Sequence, residues 1–337
     1  MTARILAGDI GGTSTRLGLF ELADGALRRQ VTRHFPSREH RGLEEIVDRF
    51  RSAYPEPVGL ACFGVAGPVV GGRAATPNLP WVVDGASLAR ELGLAGVDVI
   101  NDLEANAHGI PALGPEDTAA LNAGSPRARG NAAVISAGTG LGEAGLYWDG
   151  QRHHPFACEG GHADFSPTSD EEIDLLRHLR AKFGSHVSWE RVVSGPGLAN
   201  IYEFLRGRAE EPEPDWLHRE LASGDAPTVI SRAALDGRSA LCSRALDLFV
   251  SAYGGEAGNL ALKAMALRGV YVGGGIAPKI LARLRAGAFM EAFANKGRLR
   301  PLLEAIPVRV ITNDETALLG AARCAALRAS LISQSAL

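Results

Sequence analysis

Four stretches of the chain set acids, amides or hydroxyls beside bare backbone, or at the end of an apolar run. The first is Gly8-Asp9-Ile10-Gly11-Gly12-Thr13. A carboxylate at a strand end, followed by two glycines and a hydroxyl, offers a metal-side acceptor next to backbone N–H donors, which suits a polyphosphate. Ala137-Gly138-Thr139-Gly140 repeats the donor half of that design, and Gly273-Gly274-Gly275 follows a third apolar run, Val270-Tyr271-Val272. The second stretch is Asn101-Asp102, directly after Val97–Ile100. An amide and a carboxylate side by side can bind adjacent hydroxyls, and the carboxylate can take a proton from one of them. Asp102 reads equally as the N-cap of the helix that follows. The third is Glu159-Gly160-Gly161-His162, two polar side chains that can converge on one ligand across backbone without bulk. His162 also reads as a structural histidine; with Cys158 it supplies two zinc ligands where a structural site needs four. The last is Glu190, in Ser188-Trp189-Glu190-Arg191, which taken alone is a first-turn acid serving a helix dipole, with Ser188 as cap and Gly195-Pro196-Gly197 as a break.

Other chemistries are excluded by what is missing. No Gly-Lys dipeptide occurs, so there is no Walker loop, and none of the lysines (Lys182, Lys263, Lys279, Lys296) stands in a glycine-rich turn. A bound nucleotide therefore needs backbone N–H groups and Mg²⁺ for its phosphate charge. Gly138-Thr139-Gly140-Leu141-Gly142 lacks the dinucleotide spacing and leads into a strand. A formal charge of -3 speaks against a nucleic-acid partner or a basic membrane surface. No apolar run approaches the ~18 residues of a membrane span. Cys62, Cys158, Cys242 and Cys324 are far apart and form no CxxC pair. A strand-like run begins almost at the first residue, so no signal peptide is expected and the protein reads as cytoplasmic.

These residues need elements to hold them. Ile5–Asp9, Thr15–Glu21 and Arg28–His34 read as strands, with Asp24-Gly25 as a hairpin turn. Leu43–Phe50 and Ser87–Leu92 have helical spacing, and Val58–Val65 and Val97–Ile100 read as buried strands. The pattern then restarts at Ala132–Ser136, with Gly138-Thr139-Gly140, a further strand, the turn Asp149-Gly150, and Arg152–Phe156. Strand, glycine–threonine turn, strand, Asp-Gly turn and strand thus occur twice, which predicts two halves of similar topology. His153-His154 reads as an exposed strand end. Leu241–Val250 and Ala257–Leu267 read as two apolar helices, and Arg206–Pro227, with its Glu-Glu-Pro-Glu-Pro, as a solvated insertion. The class is α/β. The expected domains are a small one over 1–112, joined by a returning C-terminal helix in 313–337, and a large one over 113–312.

The motif set resembles the bacterial glucokinase family. Gly8–Thr13, Ile100-Asn101-Asp102, Ala137–Gly142, Glu159–Phe165 and Glu190–Gly197 stand in that family's order over essentially the whole chain. The resemblance implies the two-domain actin-like ATPase (ribonuclease H-like) fold with the active site in the interdomain cleft. It implies transfer of the γ-phosphoryl group of ATP to the 6-hydroxyl of glucose, the first step of glycolysis. Asp102 would be the general base. Asn78, Asn101, Glu159, His162 and Glu190 would hydrogen-bond the sugar. Gly8, Asp9, Ile10, Gly11, Gly12, Thr13, Gly138, Thr139 and Gly140 would cradle the ATP phosphates, with Asp9 facing Mg²⁺ through water. Gly274 and Gly275 would face the adenosine, and a homodimer would be expected. Ser14 stands where the family commonly has asparagine. The rival readings are a kinase for glucosamine, N-acetylglucosamine or mannose, and a non-catalytic sugar sensor on the same fold.

Overall fold

The structure is a computed structural model and describes residues 3–76, 79–125, 128–210 and 212–332. The first sheet is built on a meander of β1 (Ala3–Ile10), β2 (Ser14–Ala23) and β3 (Ala26–Pro36), followed by β4 (Leu60–Val65). Three short strands, β5 (Val69–Val70), β6 (Arg73–Ala75) and β7 (Val82–Asp84), form a small antiparallel sheet of their own. With β8 (Asp98–Asn101) the first sheet has the order β3-β2-β1-β4-β8. β1 is antiparallel to β2 and parallel to β4, and β4 is parallel to β8.

The second sheet uses β9 (Thr118–Asn122), β10 (Ala132–Ala137), β11 (Leu141–Trp148), β12 (His153–Cys158), β13 (Gly269–Gly273) and β14 (Val308–Ile311). Its order is β12-β11-β10-β13-β14-β9. Apart from the added β9, the strands run third, second, first, fourth, fifth in both sheets. The duplication predicted from the paired turns is therefore real. The Asp24-Gly25 turn takes the geometry a two-residue hairpin demands, while the second is a four-residue connection, 149–152, with one residue at positive φ. Asp24 and Gly25 have φ of 52° and 76°, and Gly150 has φ of 100°, a region glycine enters without strain.

The chain groups into two compact units. One runs to Asp117, takes in Ala144–Ala157 and resumes at Asn313; the other comprises Thr118–Glu143 and Cys158–Thr312. In the first unit the helix Thr316–Arg328 lays Ala317, Leu318, Ala321, Ala322 and Ala325 over Ile5, Ala7, Phe20, Cys62 and Ile100. Its small face lets it approach the helix Asp102–Gly109 closely. A Cβ on Gly320 would lie 1.7 Å from the Ala105 carbonyl oxygen, and one on Gly109 would lie 2.2 Å from that of Thr316.

Three sequence expectations change, two in the second unit and one, at His153, in the first. The two apolar helices are one 25-residue helix, Ala240–Ala264. Gly254 does not break it, because glycine is needed there for contact: a Cβ would stand 2.1 Å from the Phe289 carbonyl oxygen. The supposed insertion contains a helix, Asp215–Ser223, with Leu217 fully buried. His153, read as exposed, is buried against Trp148.

Candidate active site

In the first unit, three parallel strands end level with one another. Ile10 is in register with Val65, and Val65 with Asn101. The carboxyl ends of parallel strands are where α/β sheets place ligands, and Asp9, Asn101 and Asp102 all stand at this edge. Asp9 lies opposite Arg16 on β2. Burial raises its carboxyl above the usual range, with the Arg16 guanidinium opposing the shift and Asp314 adding to it. Arg16 is itself held by an ion pair to Asp314 at 3.0 Å. Among the described residues no group of three or more His, Cys, Asp or Glu could hold a metal ion. Asp9 is instead a single, poorly hydrated carboxylate. That fits Mg²⁺, which takes one or two carboxylates and leaves its other positions to water and substrate phosphates.

The glycine turn after β1 is tied down by serine. Gly11 donates its N–H to the Ser14 carbonyl at 3.0 Å, and Ser37 Oγ donates to the Gly11 carbonyl at 2.8 Å. Ser37 N–H reaches the Thr13 carbonyl at 3.1 Å, while Thr13 itself is exposed. Gly8 and Ile10 belong to β1; a Cβ on Gly8 would meet the Phe63 ring at 2.4 Å, and Ile10 is wholly buried.

The helix cap after β8 is made by Asn101, not Asp102. Asn101 Oδ1 accepts from Leu103 N–H at 2.8 Å and from Glu104 N–H at 3.2 Å, while its Nδ2 donates to the Gly67 carbonyl at 3.1 Å. Asp102 is the first helical residue; its Oδ1 accepts from Leu103 N–H at 3.0 Å, and its main-chain carbonyl accepts from Asn106 Nδ2 at 3.1 Å. The helix is seated by Gly64, whose Cβ would lie 2.7 Å from that of Ala105.

In the second unit the two remaining glycine turns leave neighbouring parallel strands, with Ser136 opposite Gly273. The Tyr253 hydroxyl pins both strand ends. It accepts from Ala137 N–H at 3.2 Å and lies 3.3 Å from the Gly273 carbonyl. Gly274, at φ 82°, must be bare because a Cβ would strike the Ala137 carbonyl oxygen at 2.3 Å. Gly138 and Gly275 differ: no described protein atom lies within 4 Å of where a Cβ would sit. Their bareness has no internal packing cause and leaves room for a ligand.

Glu190 is fastened to this turn. Its Oε2 accepts from Leu141 N–H at 3.0 Å, and a Cβ on Gly140 would lie 2.4 Å from that oxygen. Trp189–Arg191 is a single 3-10 turn with no side-chain cap from Ser188. Gly195-Pro196-Gly197 starts a helix, Gly195–Arg206, and does not break one: Ser194 Oγ accepts from Gly197 N–H at 3.0 Å. Gly195 N–H then reaches the Gly138 carbonyl at 2.8 Å. Glu190 thus braces the Gly138–Gly140 turn, a role beyond that of a dipole partner.

The Glu159–His162 segment is a 3-10 turn lying flat on β11. A Cβ on Gly160 would fall 1.8 Å from Glu143 Oε2, and one on Gly161 would fall 1.9 Å from the Leu141 carbonyl oxygen. Residues 141 and 143 face the same side of a strand, so both glycines are required for the turn to lie down. Their smallness serves packing as well as convergence. His162 and Glu159 are 60% and 47% exposed, with Nε2 and Oε2 4.0 Å apart. A histidine so exposed is not a structural one.

The structure thus gathers Asp9, Gly11–Thr13, Asn101 and Asp102 at one sheet edge. It gathers Thr139, the bare Gly138, Gly140, Gly274 and Gly275, and Glu190 at another, joined through Leu141 to the turn bearing Glu159 and His162. Asn78 lies outside the described residues. Ser37, Ser194 and Tyr253 escaped the sequence reading; only Tyr253, a hydroxyl in a mostly apolar helix, leaves a visible signal. Glu143 and Glu256, acids inside apolar runs, leave the same kind of signal.

A family model described as Glucokinase matches residues 6–328. The chain is 42% identical over 350 residues to a curated glucokinase of Synechocystis, covering 97% of this chain and 99% of that one. It is 43% identical over 336 residues to that of Nostoc punctiforme, covering 96% and 98%. The crystal structure of a glucokinase from an Antarctic psychrotroph superposes with a TM-score of 0.82 at 31% identity, over 96% of this chain and 98% of that one. The duplicated sheet order and this likeness give the chain the actin-like ATPase fold.

Proposed function

The chain belongs to the glucokinase family, and from that premise we propose that it transfers the γ-phosphoryl group of ATP to the 6-hydroxyl of glucose. One observation carries the catalytic part of this reading. Asn101 makes the helix cap, so the Asp102 carboxylate, at the carboxyl end of β8, is not needed for it. Asp102 takes the proton of the glucose 6-hydroxyl as that oxygen bonds to the γ-phosphorus and the bond from phosphorus to the leaving ADP oxygen breaks. Phosphoryl transfer asks mainly for positioning and charge stabilisation. Backbone N–H groups of the Gly11–Thr13 and Gly138–Gly140 turns supply donors for the phosphates, and Gly274 and Gly275 border the adenosine. Mg²⁺, when bound, neutralises phosphate charge, and Asp9 is the residue that would hold it, through water. Glu159, His162 and Glu190 hydrogen-bond the remaining sugar hydroxyls. Asn101 can offer only its second amide hydrogen, since its oxygen is committed to the cap.

A coupled ADP assay over glucose, mannose, glucosamine and N-acetylglucosamine tests this reading. The expected result is the highest kcat/KM on glucose, and a higher value on another hexose would replace the substrate. We read the protein as cytoplasmic; among its described residues no helix is long and apolar enough to cross a membrane. The homodimer rests on the family resemblance alone, because the helix Ala240–Ala264 spends its apolar surface inside its own unit. Sedimentation at micromolar protein would remove the dimer by giving a single species of about the chain mass, 35.4 kDa.

A further inference from the structure

Beneath the Glu159–His162 turn lies a pair of buried acids that the reaction itself does not use. Glu143, on β11, is 1% exposed, and Glu256, on the helix Ala240–Ala264, is 0% exposed. Glu256 is held from its own helix by Asn259 Nδ2 at 2.8 Å and Lys263 Nζ at 3.2 Å. Glu256 is a close enough neighbour to raise the Glu143 carboxyl, and Glu143 Oε1 has no partner among the described residues. The other oxygen, Oε2, is the atom that a Cβ on Gly160 would strike at 1.8 Å. The floor of the turn is therefore the Glu143 carboxyl beneath Gly160 and the Leu141 carbonyl beneath Gly161.

We infer that Glu143 is a positioning residue that supports the Gly160–His162 turn as a neutral carboxylic acid, and that its ionisation loosens the turn and weakens glucose binding. The inference rests on the reading of Glu159 and His162 as sugar contacts. Two carboxylates side by side without water cannot both ionise cheaply. Burial first, and then the neighbouring Glu256 charge, push the Glu143 carboxyl up to about 8, against a lowering pull from Lys263. Below that pH the Glu143 O–H donates to Glu256 and the pair is compact. Above it, two negative groups repel inside the core. Glu256 is anchored by Asn259 and Lys263 and Glu143 by its strand, so the element that can yield is the short turn resting on Oε2.

The other ionisable groups around the pair do not relieve this repulsion. Tyr253, on the helix, is pushed up by burial and then by Glu143. Cys158, at the end of β12, is pushed up by burial, with Glu143 and Glu159 adding to it. Lys296 donates to the Gly255 carbonyl at 3.0 Å and is pushed down by burial, with Glu256 opposing the shift. Among the described residues, Lys263 is the cation that moderates the Glu143 carboxyl directly.

The test is the glucose KM of the full-length enzyme between pH 7 and pH 9, for wild type, Glu143→Gln and Lys263→Met, with the ATP KM as control. If only the neutral acid supports binding, a group titrating at about 8 raises the wild-type glucose KM about tenfold over that range. Glutamine keeps the shape and a donor but cannot ionise, so the Glu143→Gln ratio of KM at pH 9 to KM at pH 7 stays near one. Removing the Lys263 cation raises the Glu143 carboxyl further, so in Lys263→Met the rise begins at higher pH. The ATP KM stays flat in all three. Equal rises in wild type and Glu143→Gln, or a flat wild-type profile, overturn the inference and leave the glucose kinase reading standing. If Glu143→Gln does not fold, an unmoved profile in Lys263→Met overturns it instead. Absence of glucose phosphorylation at every pH removes the functional reading and this inference with it.

Discussion

Asn101 and Asp102 are adjacent, yet the proposed mechanism gives them opposite duties, and alanine substitutions should separate them. Asn101→Ala removes the cap to Leu103 and Glu104 and the bond to the Gly67 carbonyl. A lost cap costs about 1 kcal/mol and a lost buried hydrogen bond about 1 kcal/mol more, so stability should fall by roughly 2 kcal/mol. Asp102→Ala removes a local bond to Leu103 N–H and a first-turn acid, the first-turn charge being worth about 1 kcal/mol or less. Its cost should appear in kcat, down by about 10²–10⁴ as for a lost general base, equivalent to roughly 3–5 kcal/mol of barrier. Urea denaturation measures the first quantity and a coupled ADP assay at saturating ATP the second. Asn101→Ala should keep more of its kcat than Asp102→Ala while losing more stability. The reverse pattern, an unstable Asp102→Ala that turns over normally once folded, would refute the base assignment and make Asp102 a structural residue.

Other perturbations follow from the same geometry. Gly138→Ala meets no protein atom within 4 Å, so the protein should melt normally while its ATP KM rises at least about tenfold, the equivalent of one lost or displaced hydrogen bond; an unchanged KM would mean that the turn does not face phosphate. Asp9→Asn should raise the melting temperature at pH 8 while reducing turnover. The Asp9 carboxyl lies above its ordinary value in the fold, so its ionisation opposes folding; the gain should vanish below the ordinary carboxylate range and grow as pH rises through the raised value, and a Tm difference independent of pH would contradict this. Gly320→Val drives a side chain into the Ala105 carbonyl, 1.7 Å from the Cβ position, and should cost about 3 kcal/mol or more together with kcat, because Ala105 and Asp102 share a helix; a melting temperature equal to wild type would count against the packing. Of the four cysteines, Cys158 alone is not fully buried, so native protein should release one fast equivalent of thiol to a disulfide reagent, at a rate climbing with pH because burial raises that thiol; two or more fast equivalents would contradict the burial.

Much of the fold was legible because glycine and Asp-Gly punctuation mark turns in a local, sequence-readable way. The paired hairpins declared the duplication, and the sheet orders bear it out strand for strand. Failures occurred where tertiary contact decides. Leu241–Val250 and Ala257–Leu267 read as separate helices, but Gly254 between them is small because Phe289 crosses it, and the helix runs through. Gly195-Pro196-Gly197 looked like a break; proline in the first turn instead begins a helix whose capping hydroxyl comes from Ser194. The sequence reading offered Asp102 as the cap, whereas Asn101 makes it; both residue types cap well, so one chain alone does not tell them apart. Nor could the sequence distinguish glycines that face a ligand from glycines that face the protein. Gly8, Gly160, Gly161 and Gly274 are bare for internal contact, whereas Gly138 and Gly275 are bare toward open space.

That division of the glycines bears on how a duplicated fold acquired two different glycine turns, both proposed to hold phosphate. Where β1 runs Asp9-Ile10 into Gly11, β10 runs Ser136-Ala137 into Gly138, so a hydroxyl occupies the position of the carboxylate. One carboxylate toward a polyphosphate is useful because a divalent cation can lie between them; a second would add repulsion with no second cation to offset it. The hydroxyl has another task at that position. Ser136 Oγ lies 2.8 Å from where a Cβ on Gly274 would be, and its register partner is Gly273, so a small residue there lets the triple-glycine turn close against β10. A longer acid at 136 would have to displace that turn. Ser136→Asp should therefore weaken ATP binding twice over, by charge and by disturbing the Gly274 turn, whereas Ser136→Ala removes neither space nor neutrality. The expected result is a severely raised ATP KM in the first variant and a nearly unchanged one in the second. An aspartate at 136 that leaves ATP binding intact would show that the two turns are electrostatically interchangeable, and that the asymmetry at positions 9 and 136 has no bearing on phosphate.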